Sequence, residues 1–357
     1  MARVTIKELA EACGVAASTV SRAMNDRSDV NPETRARVLE AAKRMGYVPN
    51  ESARNLKIEN TKTIAVIIQG ETSELLIKLL AELEQKLSDA GYDSYLSHVP
   101  DDKADAATVE RIVSERKYVA VIFLGRYGNS GSKDAPLLSS QLARVGVPIV
   151  FCTTADFSGS PFSQSSVSVD DYAGASEVTR LLIERGHTHI AYACVGDEIG
   201  RESGHAWALR YRGYRDAMET AGLLAGEALM IPAMNPPDMY SMACGYESVR
   251  AWLGEGLGDT TGIVCSCDAV ATGVLRALHE AGVRVPQDVS VTGFDGLDIA
   301  SYTVPSITTI AQPLDKIAQS TVRVLVAALQ HEHRTTEQVW INGTLFQGES
   351  VGAPRKS

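Results

Sequence analysis

Hydrophobic positions in the first 60 residues follow the period of a helix. A first short helix is predicted after Thr5, because Thr5 and Glu8 have the spacing of a capping box. Its apolar face is spaced i, i+3, i+4 and i+7 and consists of Ile6, Leu9, Ala10 and Cys13. A second short helix is predicted over about residues 16–25. This part of the chain therefore predicts two short helices joined by a tight glycine turn.

A third helix is predicted from its N-terminal signals, Asn31 as the N-cap and Pro32 at the first helical position. Two short helices that a third one supports form a helix-turn-helix, and an ordinary three-helix bundle is the alternative. The outward face of the second helix is small and polar with a single arginine, which suits entry into the major groove of DNA. Its members are Ala17, Ser18, Ser21 and Arg22.

The pattern changes from Thr63 onwards to short apolar runs that alternate with amphipathic helices. The strand-like runs lie at residues 64–68, 119–124, 148–151, 189–193, 262–265 and 289–294. Strands that alternate with helices predict an α/β fold with parallel, doubly wound sheets, and the number of units favours two lobes. Ligands of such folds bind at the carboxyl ends of the strands, so we expect a binding cleft between the lobes.

Charge is distributed unevenly along the chain. The 357 residues carry a formal net charge of −10, with 34 Lys and Arg against 44 Asp and Glu. Residues 1–60 hold ten basic and eight acidic residues, a balance of +2, which leaves 24 basic and 36 acidic residues, or −12, for the remainder. Residues 1–60, which we call the head, are thus slightly basic, and the remainder, which we call the body, is acidic. This distribution is compatible with DNA binding by the head, although so small a charge does not establish it.

Several classes of protein are disfavoured by what the sequence lacks. There is no run of 18 apolar residues and no apolar segment of a signal peptide near the N-terminus, so we expect a cytoplasmic protein. The six cysteines are scattered in apolar runs, and Cys265 and Cys267 do not have a metal-ligand spacing. No nucleophile elbow, phosphate-binding loop or zinc-protease motif occurs. We therefore expect reduced thiols, no metal, no cofactor and no enzyme activity.

Short segments spread along the chain carry a family resemblance. In the head they are residues 4–10, 14–15, 18–22, 25, 46–50 and 53–57. In the body they are residues 182–187, 210–214, 283–295 and 307–313. Together these segments resemble the LacI/GalR family of bacterial transcriptional regulators. The resemblance implies a homodimer, or a tetramer, that binds a near-palindromic operator, and hinge helices that fold on DNA and insert paired leucines.

The resemblance also implies the domain boundaries. A helix-turn-helix domain is expected at residues 1–49, followed by a hinge helix and linker at 50–60. Residues 61–357 would form an effector-binding and dimerisation domain similar to periplasmic sugar-binding proteins. Its N-lobe is expected at about 61–165 and 297–328, and its C-lobe at about 166–296 and 329–345.

The same resemblance, together with the local patterns, gives two sets of candidate site residues. The DNA-binding candidates are Thr5, Ala17, Ser18, Ser21, Arg22, Asn25, Asn31, Thr34, Tyr47, Asn50, Ala53, Leu56 and Lys57. The ligand-binding candidates are Tyr127, Asp170, Arg210, Tyr240, Cys267, Asp295 and Gln312. Arginine offers a rigid fork to hydroxyls or a carboxylate. Asp295 follows the strand-like run 289–294, and Asp170 follows the stretch Val167-Ser168-Val169 in the same way.

Departures from the family pattern leave the effector open. Ala16 stands where the family usually has a serine cap, Thr153-Thr154 where it often has Asp-Arg, and Cys267 where it often has asparagine. A sugar or sugar derivative is the expected effector, and a regulator controlled by a protein partner or by no ligand is the alternative. A transport-type sugar-binding protein is the more distant alternative, because it would need a signal peptide and no DNA-binding head.

Overall fold

The computed structural model describes most of the chain, in two compact units at residues 1–61 and 62–357. The described residues are 5–24, 30–45, 47, 62–70, 72–100, 106–125, 142, 145–153, 164–195, 206–224, 229–234, 240–330 and 336–355.

The described part of the first unit contains three helices, as the sequence predicts. They are α1 Ile6–Cys13, α2 Ala17–Met24 and α3 Pro32–Met45. The capping box of α1 is confirmed, because the Glu8 amide donates to Thr5 Oγ1 at 3.3 Å and the Thr5 amide donates to the Glu8 carboxylate at 2.7 Å. Gly14 ends α1 in the left-handed region, with φ of 64°. Such a turn favours glycine, which explains why the two helices are joined here.

A small apolar core holds the three helices together. One fully buried residue of each helix stands at its centre: Leu9, Val20 and Val38. Asn31 caps α3, since its Oδ1 accepts a hydrogen bond from the Glu33 amide at 2.8 Å. The caps and the apolar faces therefore agree with the sequence prediction.

Twelve strands are described in the second unit. They are β1 Thr63–Gln69, β2 Asp93–Val99, β3 Ala120–Leu124, β4 Ile149–Cys152, β5 Ser165–Val169, β6 Ile190–Val195, β7 Met230–Pro232, β8 Gly262–Cys265, β9 Ser290–Thr292, β10 Thr309–Ala311, β11 Gln338–Ile341 and β12 Thr344–Phe346. Six strands form the N-lobe sheet, in the order β11-β5-β4-β3-β1-β2, and four form the C-lobe sheet, in the order β7-β6-β8-β9. All pairs in both sheets are parallel, whereas β10 and β12 form a separate antiparallel pair.

Helices cover these sheets, as the alternating pattern predicts. They are α4 Glu74–Asp89, α5 Ala106–Arg116, α6 Asp171–Glu184, α7 Ala206–Thr220, α8 Met242–Leu253, α9 Asp268–Glu280, α10 Asp298–Tyr302 and α11 Leu314–Gln330. Strand β1 is buried on both faces: Val66 shares one core with Leu79 of α4, and Ile67 shares another with Val109 of α5. Parallel sheets need this cover on both faces, which explains the continuous apolar runs in the sequence.

The strand pairing does not match the expected lobe boundaries. The sequence places β5 at the start of the C-lobe, but β5 pairs with β4 in the N-lobe sheet. It also places β11 in the C-lobe, but β11 pairs with β5. Residues 297–308, expected in the N-lobe, join the C-lobe sheet through a parallel bridge between Thr292 and Thr308. The sequence of a short apolar strand shows that the strand is buried. It does not show which sheet the strand joins, because helices cover both faces of both sheets.

The described residues contain no helix that is long and apolar enough to cross a membrane. Within the same residues, no group of three His, Cys, Asp or Glu side chains is placed to hold a metal ion. The five cysteines whose side chains are described are free thiols, and all five are buried.

Candidate functional site

A cluster of polar side chains lies where several parallel strands of the second unit end. Asp171 follows β5, Asp268 follows β8, and Asp295 follows β9. Gln312 comes directly after β10, and Arg210 reaches the cluster from α7. We call these five residues the Arg210 cluster. The carboxyl ends of strands are the positions at which α/β folds bind ligands, so this cluster is the candidate effector site.

Arg210 is the centre of the cluster and is almost completely buried, with 4% of its surface exposed. Its Nε donates to Asp171 Oδ1 at 2.7 Å, its Nη1 donates to the Ser266 carbonyl at 2.5 Å, and its Nη2 lies 3.2 Å from Asp295 Oδ1. The guanidinium also stacks on Phe294, 3.8 Å from the ring centroid. Two carboxylates therefore compensate its buried charge, and an aromatic ring covers one of its faces.

Asp295 and Gln312 are fixed to each other through backbone and side chain. Gln312 Nε2 donates to Asp295 Oδ1 at 2.7 Å, and the Gln312 amide donates to the Asp295 carbonyl at 2.9 Å. Asp295 has a φ of 110°, a conformation that a residue with a side chain rarely adopts. Such strained positions cluster at functional sites, where the surrounding structure holds them in place.

Burial and repulsion between negative charges raise the pKa values of the acidic residues in the cluster. Burial raises the pKa of Asp295 to about 6, although Arg210 and Gln312 counteract the shift. Burial, and then the negative charge of Asp295, raise the pKa of Asp268 to about 7. Burial likewise raises the pKa of Asp171 against the pull of Arg210. The pKa of Arg210 is raised, since Asp171 and Asp295 outweigh the effect of its burial, and it stays charged.

Cys267 and Tyr240 lie beside the cluster. Cys267 is the N-cap of α9: its Sγ accepts from the Val270 amide at 3.5 Å and donates to the Tyr240 carbonyl at 3.6 Å. Tyr240 Oη accepts from the Trp207 amide at 3.2 Å. Burial, in the first place, raises the pKa of Cys267 and of Tyr240, so both are neutral at physiological pH.

The ligand-binding candidates are thus only partly brought together. Arg210, Asp295 and Gln312 are in direct contact, whereas Asp170 caps α6 by accepting from the Ala173 amide at 2.8 Å. Its neighbour Asp171 pairs with Arg210 and is not among the residues predicted from the sequence. Tyr127 lies outside the described residues.

Asp268, Ser266 and Phe294 are likewise absent from the residues predicted from the sequence. The two adjacent aspartates at 170 and 171 are a signal that could have indicated two roles. Asp170 caps the helix, and Asp171 belongs to the cluster. Ser266 contributes only its backbone carbonyl, which the sequence could not single out.

The DNA-binding candidates of the head fall into three groups. Ser18 and Arg22 are exposed on α2, and Ala17 and Ser21 are half-buried beside them. Thr5 and Asn31 act as exposed caps of α1 and α3, while Thr34 is half-buried on α3 and Tyr47 packs against the core of the head. The other candidates, Asn25, Asn50, Ala53, Leu56 and Lys57, lie outside the described residues.

The raised pKa of Asp268 leads to a prediction about stability. The unfolded chain loses this proton near pH 4 and the folded chain only near pH 7, so between these values the folded protein binds more protons. The free energy of unfolding therefore falls, through this group, as the pH rises from about 4 to about 7. Asp268→Asn should remove this loss. Between pH 5 and pH 8 its free energy of unfolding should therefore rise relative to that of wild type by on the order of 2–4 kcal/mol.

Urea unfolding of the full-length protein at pH 5, 6, 7 and 8 measures this difference. Asp259→Asn, which changes an exposed aspartate, serves as the matched control and should give a difference that does not vary with pH. Parallel stability curves for Asp268→Asn and wild type would show that Asp268 is ionised throughout.

Comparison with known proteins identifies both units. Residues 5–50 match the bacterial regulatory proteins of the lacI family, and residues 179–351 match the periplasmic binding protein-like domain. The HTH-type transcriptional regulator RegA of Clostridium saccharobutylicum is 30% identical over 347 residues, which span 97% of this chain and 99% of RegA.

Solved structures agree with this assignment. The lac repressor dimer bound to operator and the anti-inducer ONPF has the same fold, with a TM-score of 0.80 at 22% identity over 99% of this chain and 100% of that chain. The complex of the transcriptional regulator CelR with cellobiose gives a TM-score of 0.69 at 26% identity over 98% of this chain and 100% of that chain. The chain therefore belongs to the LacI family of bacterial regulatory proteins, because the two regions match in this order and a relative is 30% identical over nearly its full length.

Proposed function

We propose that this regulator is a homodimer that binds a near-palindromic operator and that a small molecule at the Arg210 cluster sets its affinity for DNA. The observation that carries the DNA-binding part is the face of α2. It presents small and polar side chains with one exposed arginine, Arg22, on a helix that Leu9 and Val38 hold against its two neighbours. A helix of this kind enters the major groove and reads base edges.

The hinge is proposed on sequence alone. Residues 50–57 would form a short helix on specific DNA, with Leu56 as the apolar wedge in the minor groove and Lys57 near the phosphates. A helix this short does not persist alone in water, so its formation would depend on DNA.

Regulation by a small molecule is supported by the placement and strain of the Arg210 cluster. Its polar groups converge at the carboxyl ends of strands, and Asp295 is held in a strained conformation. A ligand that prefers one arrangement of the lobes shifts the equilibrium by its differential affinity, and a coupling of about 1–3 kcal/mol changes operator affinity about 5–150-fold. We propose repression rather than catalysis as the activity and the cytoplasm as its location, because an operator-binding protein must reach the chromosome.

Arg22→Ala tests the role of α2. If Arg22 forms a bidentate contact with guanine, the variant should lose roughly 1–3 kcal/mol of operator binding and accept more bases at one position. The measurement is selection of operators from a random DNA pool by full-length wild type, followed by titration of both proteins on selected and random duplexes.

Arg44→Ala, which changes an exposed arginine near the end of α3, is the matched control and should leave base preference unchanged. An equal loss by Arg22→Ala on selected and random DNA would mean that Arg22 contacts only phosphates. Failure of wild type to enrich any sequence would contradict the proposed function itself.

A further inference from the structure

One ion pair on the surface of the second unit connects helices of different lobes. Lys78 Nζ, on α4, lies 2.9 Å from Asp298 Oδ2, at the start of α10. Helix α4 packs on the N-lobe sheet, whereas Ala300 of α10 is buried in the same core as Ile263 of β8, a strand of the C-lobe sheet. The two side chains therefore bridge the lobes, and they do so outside the Arg210 cluster.

The C-lobe end of this bridge is fixed to the loop that carries the strained Asp295. Asp298 follows Asp295 closely in the chain, and between them the Leu297 amide donates to Asp268 Oδ2 at 2.8 Å. The Ala300 amide in turn donates to the Leu297 carbonyl at 2.9 Å. Rigid, hydrogen-bonded segments transmit displacements, so a movement of the Asp295 backbone also moves Asp298.

The bridge biases the arrangement of the lobes without locking it. The side chains of Lys78 and Asp298 are 34% and 79% exposed, so water and salt weaken their attraction. An exposed ion pair of this kind changes an equilibrium constant by about two- to fivefold. A ligand whose preference for another lobe arrangement exceeds this factor overcomes the pair.

We propose that Lys78 and Asp298 are positioning residues whose ion pair tethers α10 to α4 and favours the lobe arrangement of this structure, so that it sets the operator affinity before an effector binds. This inference rests on the proposed function, because it concerns the regulation of operator binding by the lobes. Neither residue is assigned a contact with effector or DNA.

A second lysine of α4 provides a matched control. Lys86 pairs with Asp315 of α11. Helix α11 packs on the N-lobe sheet, where Thr321 Oγ1 donates to Cys152 Sγ of β4 at 3.3 Å. Both ends of this second pair thus lie in the N-lobe, so breaking it changes the charge of the same helix and removes no connection between the lobes.

The first test needs no DNA and measures amide hydrogen exchange in the full-length protein. In α10 the Ala300 and Thr303 amides donate to backbone carbonyls, so their exchange reports how firmly this helix is held. Lys78→Met should raise exchange in peptides covering residues 298–303 about two- to fivefold, because it removes the tether from the other lobe. Lys86→Met should not change it. Unchanged exchange in Lys78→Met overturns the inference.

The second test titrates the selected operator with full-length protein to which no effector is added. Lys78→Met and Asp298→Asn should each shift the affinity by about two- to fivefold in the same direction, because both break one pair. The double variant should shift it no further than either single variant. A direct effect of charge on DNA would act in opposite directions, since one variant loses a cation and the other an anion.

The controls separate the bridge from charge and from the helix itself. Lys86→Met and Asp315→Asn repeat the two charge changes and should leave operator affinity unchanged. Glu74→Gln removes the other partner of Lys78, which lies 3.2 Å away on α4, and should also have no effect. Lys78→Arg retains the ion pair and should behave as wild type.

Opposite or additive shifts, or equal shifts in the control pair, overturn the inference and leave operator binding intact. A change in exchange without a change in operator affinity also overturns it, because the tether would then not regulate. If wild type selects no operator, the proposed function fails, and the exchange test still decides whether the bridge holds α10. The two failures are therefore distinguishable.

Discussion

Arg210→Ala should destabilise the second unit by about 3–5 kcal/mol, because it leaves Asp171 and Asp295 buried without their cation. The substitution also removes the hydrogen bond to the Ser266 carbonyl and the stacking of the guanidinium on Phe294. Urea unfolding of the full-length protein at pH 7.5, followed by tryptophan fluorescence, gives the free energy of unfolding. The loss should become smaller at pH 5, because the two carboxyl groups can then bind protons.

Two further variants assign the cause of this loss. Arg276→Ala removes an exposed arginine that pairs with Glu280 on the surface of α9, and it should change stability by less than about 0.5 kcal/mol. The double variant Arg210→Met with Asp171→Asn should be more stable than Arg210→Met alone, since one uncompensated charge is gone. If the double variant is no more stable, unpaired charge is not the cause.

Gly273→Ala should destabilise the C-lobe by about 3 kcal/mol, because helices α8 and α9 cross there with their backbones in close approach. A Cβ atom at residue 273 would lie 2.0 Å from the carbonyl oxygen of Met242 and 2.7 Å from the Tyr246 amide nitrogen. The opposite helix has the same requirement at Gly245, where a Cβ would lie 2.2 Å from the Val270 carbonyl oxygen. Backbone atoms cannot rotate away as side chains do, so the helices must separate.

Thermal and urea unfolding of the full-length protein measure this effect. Gly254→Ala is the matched control, because Gly254 is exposed at the end of α8 with helical angles of φ −63° and ψ −24°. It should change stability by no more than about 0.5 kcal/mol. Similar losses for the two substitutions would mean that the close approach of the two helices is not the cause, because the entropy of glycine in the unfolded chain would make either substitution stabilising.

Local signals allowed much of the fold to be predicted. The Thr5–Glu8 capping box and the Asn31-Pro32 start act within a few residues, so the sequence contains the whole interaction. The alternation of apolar runs with amphipathic helices likewise predicts parallel sheets. The expected lobes of β5 and β11 are wrong, because no local pattern shows which sheet a short strand joins, and the pairing of β11 with β5 joins residues about 170 positions apart.

The same limit applies to the candidate site. Arg210, Asp295 and Gln312 could be proposed from the sequence, but the pairing of Arg210 with Asp171 depends on how α6 and α7 pack. From the sequence alone, Arg210→Ala is expected to affect only the response to the effector. The buried double ion pair predicts a loss of stability as well, so any functional test at this position needs a stability measurement beside it.

The sulfur cap of α9 makes this protein a convenient starting point for a biosensor with altered recognition. Cys267 contacts Val270 and Tyr240 through weak hydrogen bonds and pairs with no charged group among the described residues. Serine and asparagine are better caps than a thiol, so replacements here can reshape the wall of the site while they retain the start of the helix. Arg210, Asp171 and Asp295, in contrast, are bound to one another by charge. A library for directed evolution should therefore vary residue 267 and keep these three residues constant.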